Sequence, residues 1–165
     1  DIMGCKVSNV ELQPLKERFL STERIFKMMK KVSVRWRDKL QFIAHDSLGN
    51  SMLLNSPKEK DEGAKPSDLL PMGLASCSGI NVLRILRKEK QDLRKFEIQV
   101  FFKQALKPPW KFEKIHLKYL IGGRNIGEKF VRRAIELSQK KYCSVFATLK
   151  GNVKLESSYE IEEVA

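Results

Sequence analysis

One stretch constrains this chain more than any other. Pro66 to about Lys90 reads as a single long, apolar helix, and the residues on both sides of it alternate with a period of two. Within it Leu70, Leu74, Cys77, Asn81, Arg84 and Ile85 recur three or four apart, the spacing of one helical stripe. Leu69, Ile80 and Leu83 widen that stripe, which predicts a central helix covered on several sides. Pro66 suits the first helical position, where its missing N–H costs nothing. Pro71, inside the pattern, predicts a bend or a broken first turn.

Ahead of this helix Val32, Val34 and Trp36 alternate with Ser33, Arg35 and Arg37. A turn at Asp38-Lys39 leads to Leu40, Phe42 and Ala44, and a second turn at Ser47-Leu48-Gly49-Asn50 leads to Met52 and Leu54. This predicts a three-stranded antiparallel meander. Behind the helix, Phe96, Ile98, Val100 and Phe102 mark one strand, and Ile115, Leu117, Tyr119 and Ile121 another, with Lys107-Pro108-Pro109-Trp110 as the loop between. Gly127 to Lys140 predicts an amphipathic helix, and Ser144 to Lys150 a short one closed by Gly151. Val153, Leu155, Tyr159 and Ile161 lie on one face of a final strand. With no strict βαβ alternation the class is α+β, built on two antiparallel sheets. Residues 8–30 carry a weaker helical pattern broken at Pro14, so residues 1–30 read as an N-terminal extension to one domain over 31–165.

A chain of 165 residues with 42% apolar content supports one ordinary core. No window approaches ~20 consecutive apolar residues, so no membrane span is expected. The first thirty residues lack an apolar signal-peptide core, and a cytoplasmic protein is expected. Three cysteines are too few for a disulfide scaffold, which leaves catalytic, redox or inert buried thiols. Cys77, Cys143, His45 and His116 contain no close-spaced pair to nucleate a zinc site, so neither metal nor cofactor is expected. The formal net charge is +12, and between Arg84 and Lys118 eleven Lys/Arg face four Asp/Glu. A solvated basic face is the first reading; a surface for an anionic partner such as nucleic acid is the alternative. Gly123 and Gly127 are four apart, whereas a KH-type loop needs glycines three apart.

Two thiols sit inside recognisable stretches. Cys77 ends Pro66-x-x-Leu69-Leu70 through Ala75-x-Cys77, and Cys143 lies in Lys141-Tyr142-Cys143-Ser144-Val145, preceded by Arg133-Ala134-Ile135-Glu136-Leu137-Ser138. Together with Val34-x-Trp36 and Phe112-x-x-Ile115-x-Leu117-x-Tyr119, these stretches resemble the OsmC/Ohr superfamily of thiol-dependent peroxidases, most closely its OsmC-like (YhfA-type) branch, from about Val32 to Ile161. The resemblance implies an intertwined homodimer with two central Cys-bearing helices and active sites at the subunit interface. It implies that Cys77 attacks an organic hydroperoxide and that Cys143 resolves the resulting sulfenic acid as a disulfide, in oxidative-stress defence. A dihydrolipoyl protein, thioredoxin or a small thiol would be the reductant. Such a cycle needs a thiolate at the attacking cysteine and a second thiol close by to limit overoxidation.

The supporting residues depart from the family pattern. Ohr-type members carry Pro-Glu at the helix start, with that Glu orienting an Arg against the reactive thiolate. Here Ser67 follows Pro66 and the carboxylate comes one residue later, as Asp68. Asp68 is the candidate orienting carboxylate or else a first-turn complement to the helix dipole. Arg37, or Arg35 of the same strand, is the candidate arginine, with a solvent-facing strand residue as the plain alternative. Phe42, Phe101 and Trp110 read as ordinary packing or as an apolar entry for organic hydroperoxides, and Trp36 and Tyr142 as core or interface aromatics. Cys5 reads as an incidental thiol. The alternative function is an OsmC-fold binding or regulatory protein with poorly activated thiols and a basic surface.

Overall fold

A computed structural model of the chain describes residues 29–56 and 62–164. Cys5 and most of the expected N-terminal extension lie outside the described residues. The chain divides into two compact units between Lys65 and Pro66.

The first unit contains the expected meander: β1 (Ser33–Asp38), β2 (Gln41–His45) and β3 (Ser51–Leu54), paired antiparallel in the order β1-β2-β3. Its turns follow from their residues. Lys39 takes a positive φ of 43°, and its carbonyl accepts from Trp36 Nε1 at 2.9 Å. At the second turn Asp46 Oδ1 accepts from the backbone N–H of Leu48 and of Asn50, at 2.8 and 2.9 Å. An Asp side chain used this way mimics a backbone turn, and Gly49 supplies the positive φ. Register places Val34, Ala44 and Met52 in one row and Trp36, Phe42 and Leu54 in the next, so one face is apolar.

The second unit is built around the long helix. Pro66–Asp68 forms a 3-10 turn, and α1 (Leu69–Lys88) follows. The broken first turn expected from Pro71 is this 3-10 turn; Pro71 sits in the first turn of α1, where backbone N–H groups have no helical acceptor anyway. Two long strands come next, β4 (Asp92–Gln104) and β5 (Phe112–Arg124), paired antiparallel. Then come α2 (Glu128–Leu137), a wide π-type turn over Ser138–Tyr142, the short α3 (Ser144–Leu149), and β6 (Lys154–Glu163).

β6 pairs with β5 in parallel, so the second sheet, ordered β4-β5-β6, is mixed rather than antiparallel throughout. Alternation reveals which side chains face the core but not which way a strand runs. Direction follows from the connection: the residues from Asn125 to Val153 make a helical crossover, which is what a parallel neighbour requires. The inward side chains Ile115, Leu117, Tyr119 and Ile121 are each at most 1% exposed, and they meet Leu74, Val82 and Leu86 of α1 and Val131 and Ala134 of α2.

By length and apolar composition the Pro66–Lys88 segment could cross a bilayer. Its buried face instead packs into this core, through Pro71, Leu74, Ser78, Gly79, Val82 and Leu86. Gly79 lets it approach closely, since a Cβ there would meet Ile98 Cδ1 at 2.8 Å. An adjoining flank is open: Met72 and Ile80 are about half exposed on an apolar groove of about 390 Å³ that also touches Phe96, Ile98 and Val100.

Candidate active site

Cys77 lies in the third turn of α1, half-buried, while Cys143 is 2% exposed at the end of the wide turn. The sequence periodicity carries the preceding helix to Lys140, but α2 ends at Leu137. Beyond it the Cys143 N–H donates to the Ser138 carbonyl at 2.8 Å, a bond spanning five residues. The extra residue in that turn brings the chain to an extended conformation at Cys143 (φ −86°, ψ 103°), which is also the N-cap of α3.

Both sulfurs meet the start of α3. The first N–H groups of a helix have no partner within it. Phe146 N–H donates to Cys143 Sγ at 3.3 Å. The Cys77 sulfur draws on the neighbouring groups: the backbone N–H of Val145, the hydroxyl and N–H of Ser144, and the thiol of Cys143. Burial by itself pushes the Cys77 thiol up, but these donors outweigh it, led by Cys143, and hold it below its ordinary value. The main donors are neutral. Cys143 moves the other way. Its burial is the largest cause, with the hydrogen bond to Cys77 and that sulfur's charge adding to it, and its thiol is pushed up to about 11. One proton is thus shared unequally: Cys77 is the sulfur that ionises, and Cys143 the one that keeps its hydrogen and donates it.

Behind the sulfurs lies a buried polar cluster that periodicity alone does not reveal. Ser78 Oγ is 2.7 Å from the Tyr119 hydroxyl and 3.0 Å from Ser138 Oγ, and Ser138 Oγ donates to the Ser78 carbonyl at 3.0 Å. Ser78, Ser138 and Tyr119 are all fully buried. Alternation marks Tyr119 as inward, but for the serines the sequence signal is only their position, one beside Cys77 and the other five residues before Cys143.

The other candidates sit on other elements. Asp68 ends the 3-10 turn at the head of α1, accepting from Ser67 Oγ at 3.3 Å. It stands roughly 13 Å along the helix axis from Cys77, at 1.5 Å per residue. Arg37 and Arg35 are exposed residues of β1 in the first unit. His116 is on the outward face of β5, with Nε2 2.8 Å from Ser158 Oγ, and His45 is on β2. Among the described residues no three His, Cys, Asp or Glu side chains gather as metal ligands. The aromatics read as ordinary packing are largely exposed: Phe101 at 56% and Trp110 at 57%. Much of the basic excess along the second sheet is matched by carboxylates, in the pairs Lys95–Glu162, Lys103–Glu113, Lys114–Glu156 and Lys118–Glu160.

Known proteins resemble this chain in sequence and in fold. The family model described as OsmC-like protein matches residues 59–158. Protein YhfA of Escherichia coli K12 is 31% identical over 128 residues, covering 78% of this chain and 95% of YhfA. A crystal structure of a hypothetical protein from Aquifex aeolicus is 30% identical with a TM-score of 0.74, covering 83% of this chain and 98% of that one. The organic hydroperoxide resistance protein OhrB of Bacillus subtilis shares the fold at 15% identity and a TM-score of 0.56, over 81% of this chain and 99% of its own.

Proposed function

This chain belongs to the OsmC-like protein family, and from that membership and its paired sulfurs we propose that it is a thiol-dependent hydroperoxide reductase working as a homodimer. The observation that carries the reading is the opposed displacement of Cys77 and Cys143 at the start of α3. Family members include proteins described by organic hydroperoxide resistance, which gives the oxidant its class.

In the first step the Cys77 thiolate attacks the distal peroxide oxygen. An S–O bond forms, the O–O bond breaks, and the departing alkoxide takes a proton and leaves as alcohol. Cys77 is oxidised to a sulfenic acid and the peroxide reduced. In the second step the Cys143 sulfur attacks the Cys77 sulfur. The S–S bond forms, the S–O bond breaks, and the hydroxide leaves as water with the proton that Cys143 gives up. A thiol reductant, either a dithiol protein or a small thiol, then exchanges with the disulfide and is itself oxidised. The buried Cys143 leaves Cys77 as the sulfur open to attack by that reductant.

Arg37 and Asp68 belong to this proposal as auxiliary groups, an arginine set against the thiolate and a carboxylate that orients it. The open flank of α1 is the surface assigned to the second copy, because Met72 and Ile80 expose apolar side chains on the helix that carries Cys77. The decisive experiment is cumene hydroperoxide consumption with dithiothreitol as reductant. Wild-type turnover, its loss in Cys77→Ser, and accumulation of Cys77 sulfenic acid in Cys143→Ser are expected. Full turnover in the Cys77→Ser protein would refute the reading.

A further inference from the structure

The three buried hydroxyls behind the sulfurs form a chain with one possible direction. A carbonyl can only accept, so Ser138 Oγ gives its single proton to the Ser78 carbonyl. At the 3.0 Å contact between the two serines, Ser138 Oγ must therefore accept and Ser78 Oγ donate. Ser78 has then spent its own proton, so at 2.7 Å the Tyr119 hydroxyl donates to Ser78. Protons point from Tyr119 to Ser78, from Ser78 to Ser138, and from Ser138 back to the backbone of α1. Burial, the largest influence on the Tyr119 phenol, raises it and keeps it protonated, as a donor at the head of the chain must be.

The two serines of this chain are each tied to a thiol-bearing residue. Ser78 is the next residue after Cys77. Ser138 begins the wide turn, and its carbonyl receives the Cys143 N–H at 2.8 Å. Ser138 is thus bonded by its side chain to the helix that carries one sulfur, and by its main chain to the residue that carries the other. α2 and α1 also meet through apolar contacts, but those permit sliding. A hydroxyl seated on one particular carbonyl does not.

We propose that Ser138, supported by Ser78 and Tyr119, is the positioning residue of the thiol pair, setting how fast Cys143 closes on an oxidised Cys77. This deepens the function proposed above and rests on its assignment of Cys143 as resolver. It does not depend on peroxide being the oxidant. Misplacing reacting groups by about 1 Å can cost up to ~10²-fold in rate, so loosening the turn should appear in the closure step.

The test uses the full chain with Cys5→Ser and dithionitrobenzoate as probe. Cys77 attacks the reagent, its S–S bond breaks and one thionitrobenzoate leaves. Cys143 then loses its proton to solvent and attacks the Cys77 sulfur, releasing a second thionitrobenzoate and leaving the Cys77–Cys143 disulfide. In Ser138→Ala the second release should slow by about tenfold or more relative to the first, and Ser138→Thr, which keeps the hydroxyl, should restore it. If the three hydroxyls only satisfy one another, Ser138→Ala will lower the melting temperature while the ratio of the two phases changes less than about twofold; that result overturns the proposal. Should Ser138→Ala fail to fold, Tyr119→Phe removes only the leading donor: a slowed second phase supports the proposal and an unchanged one overturns it. Absence of a second phase in the parent protein also overturns it. Loss of peroxide turnover with a normal, Ser138-dependent second phase would instead remove the peroxidase reading and leave this one standing.

Discussion

Cys77 and Cys143 act on one another at the first turn of α3, and their thiols are displaced in opposite directions. Burial would raise both. At Cys77 the Cys143 thiol, the N–H of Val145 and the hydroxyl and N–H of Ser144 outweigh it, whereas at Cys143 the charge of Cys77 adds to it. A pair arranged this way has unequal partners before any oxidant arrives.

The inequality should be visible in alkylation. Only the thiolate reacts, so the rate follows the ionised fraction, and a lowered value moves the midpoint to lower pH. Iodoacetamide labelling across pH, with the modified cysteine identified by mass, should give a Cys77 midpoint below the ordinary 9.0. Cys143 should stay largely unlabelled until the pH approaches about 11. Equal labelling of both at neutral pH would sink the assignment. Arg37→Gln, which removes the arginine that the proposal sets against the thiolate, should raise the Cys77 midpoint, and an unchanged midpoint would end that role.

Stability should carry the same signature in the alkaline range. Below 9.0 Cys143 is protonated whether the chain is folded or not. Above it the unfolded chain ionises while the folded thiol holds its proton to about 11, so the contribution of Cys143 is lost as pH rises between those values. Cys77 has the opposite sign: its lowered value adds stability as pH rises through the folded value, and that gain is complete by 9.0. Melting temperatures measured from about pH 8 to 11 should therefore fall more steeply in the parent than in Cys143→Ala. Parallel curves would remove Cys143 as the cause.

Two glycines of the second unit should respond differently to alanine. At Gly123 a Cβ would collide with the Asp92 carbonyl oxygen, a backbone atom that cannot move without breaking the β4–β5 register. At Gly79 the obstacle is Ile98 Cδ1 at 2.8 Å, the far end of a side chain that can rotate. Gly123→Ala should destabilise by more than about 2 kcal/mol and Gly79→Ala by roughly 1 kcal/mol, by denaturant unfolding. A reversed order would show that α1 cannot shift on β4.

The exposed flank of α1 gives the proposed dimer its test. Ile80 is 50% exposed at the groove. Ile80→Glu should convert a dimer to a monomer in sedimentation velocity, because a charge in a buried apolar contact costs several kcal/mol unless paired. A wild-type protein that sediments as a monomer would end that part of the proposal.

Much of the fold was legible in the chain. Alternation located the strands, with β4 and β5 longer than their apolar cores suggested because the ladder runs on at both ends through residues that break the alternation, among them Arg94, Lys95, Gly122 and Gly123. The Cys77 and Cys143 stretches led to the family. Less was legible where a side chain's role depends on a distant partner. Ser78 and Ser138 look like ordinary polar residues until α1 and the wide turn are side by side. Trp36 and Tyr142, read as core or interface aromatics, are 63% and 50% exposed in this chain.

Periodicity and local motifs, which are properties of neighbouring residues, were enough for the α+β class, the long helix from Pro66, the family and the two cysteine-bearing stretches. Tertiary structure decided the parallel direction of β6, the wide turn in place of the last helical turn before Cys143, and the meeting of two thiols from separate helical segments at one helix start. Those outcomes depend on which buried donors and acceptors find each other once the chain has closed on its core. Hydrogen bonds between residues 60 positions apart, as between Ser78 and Ser138, leave no period in the chain.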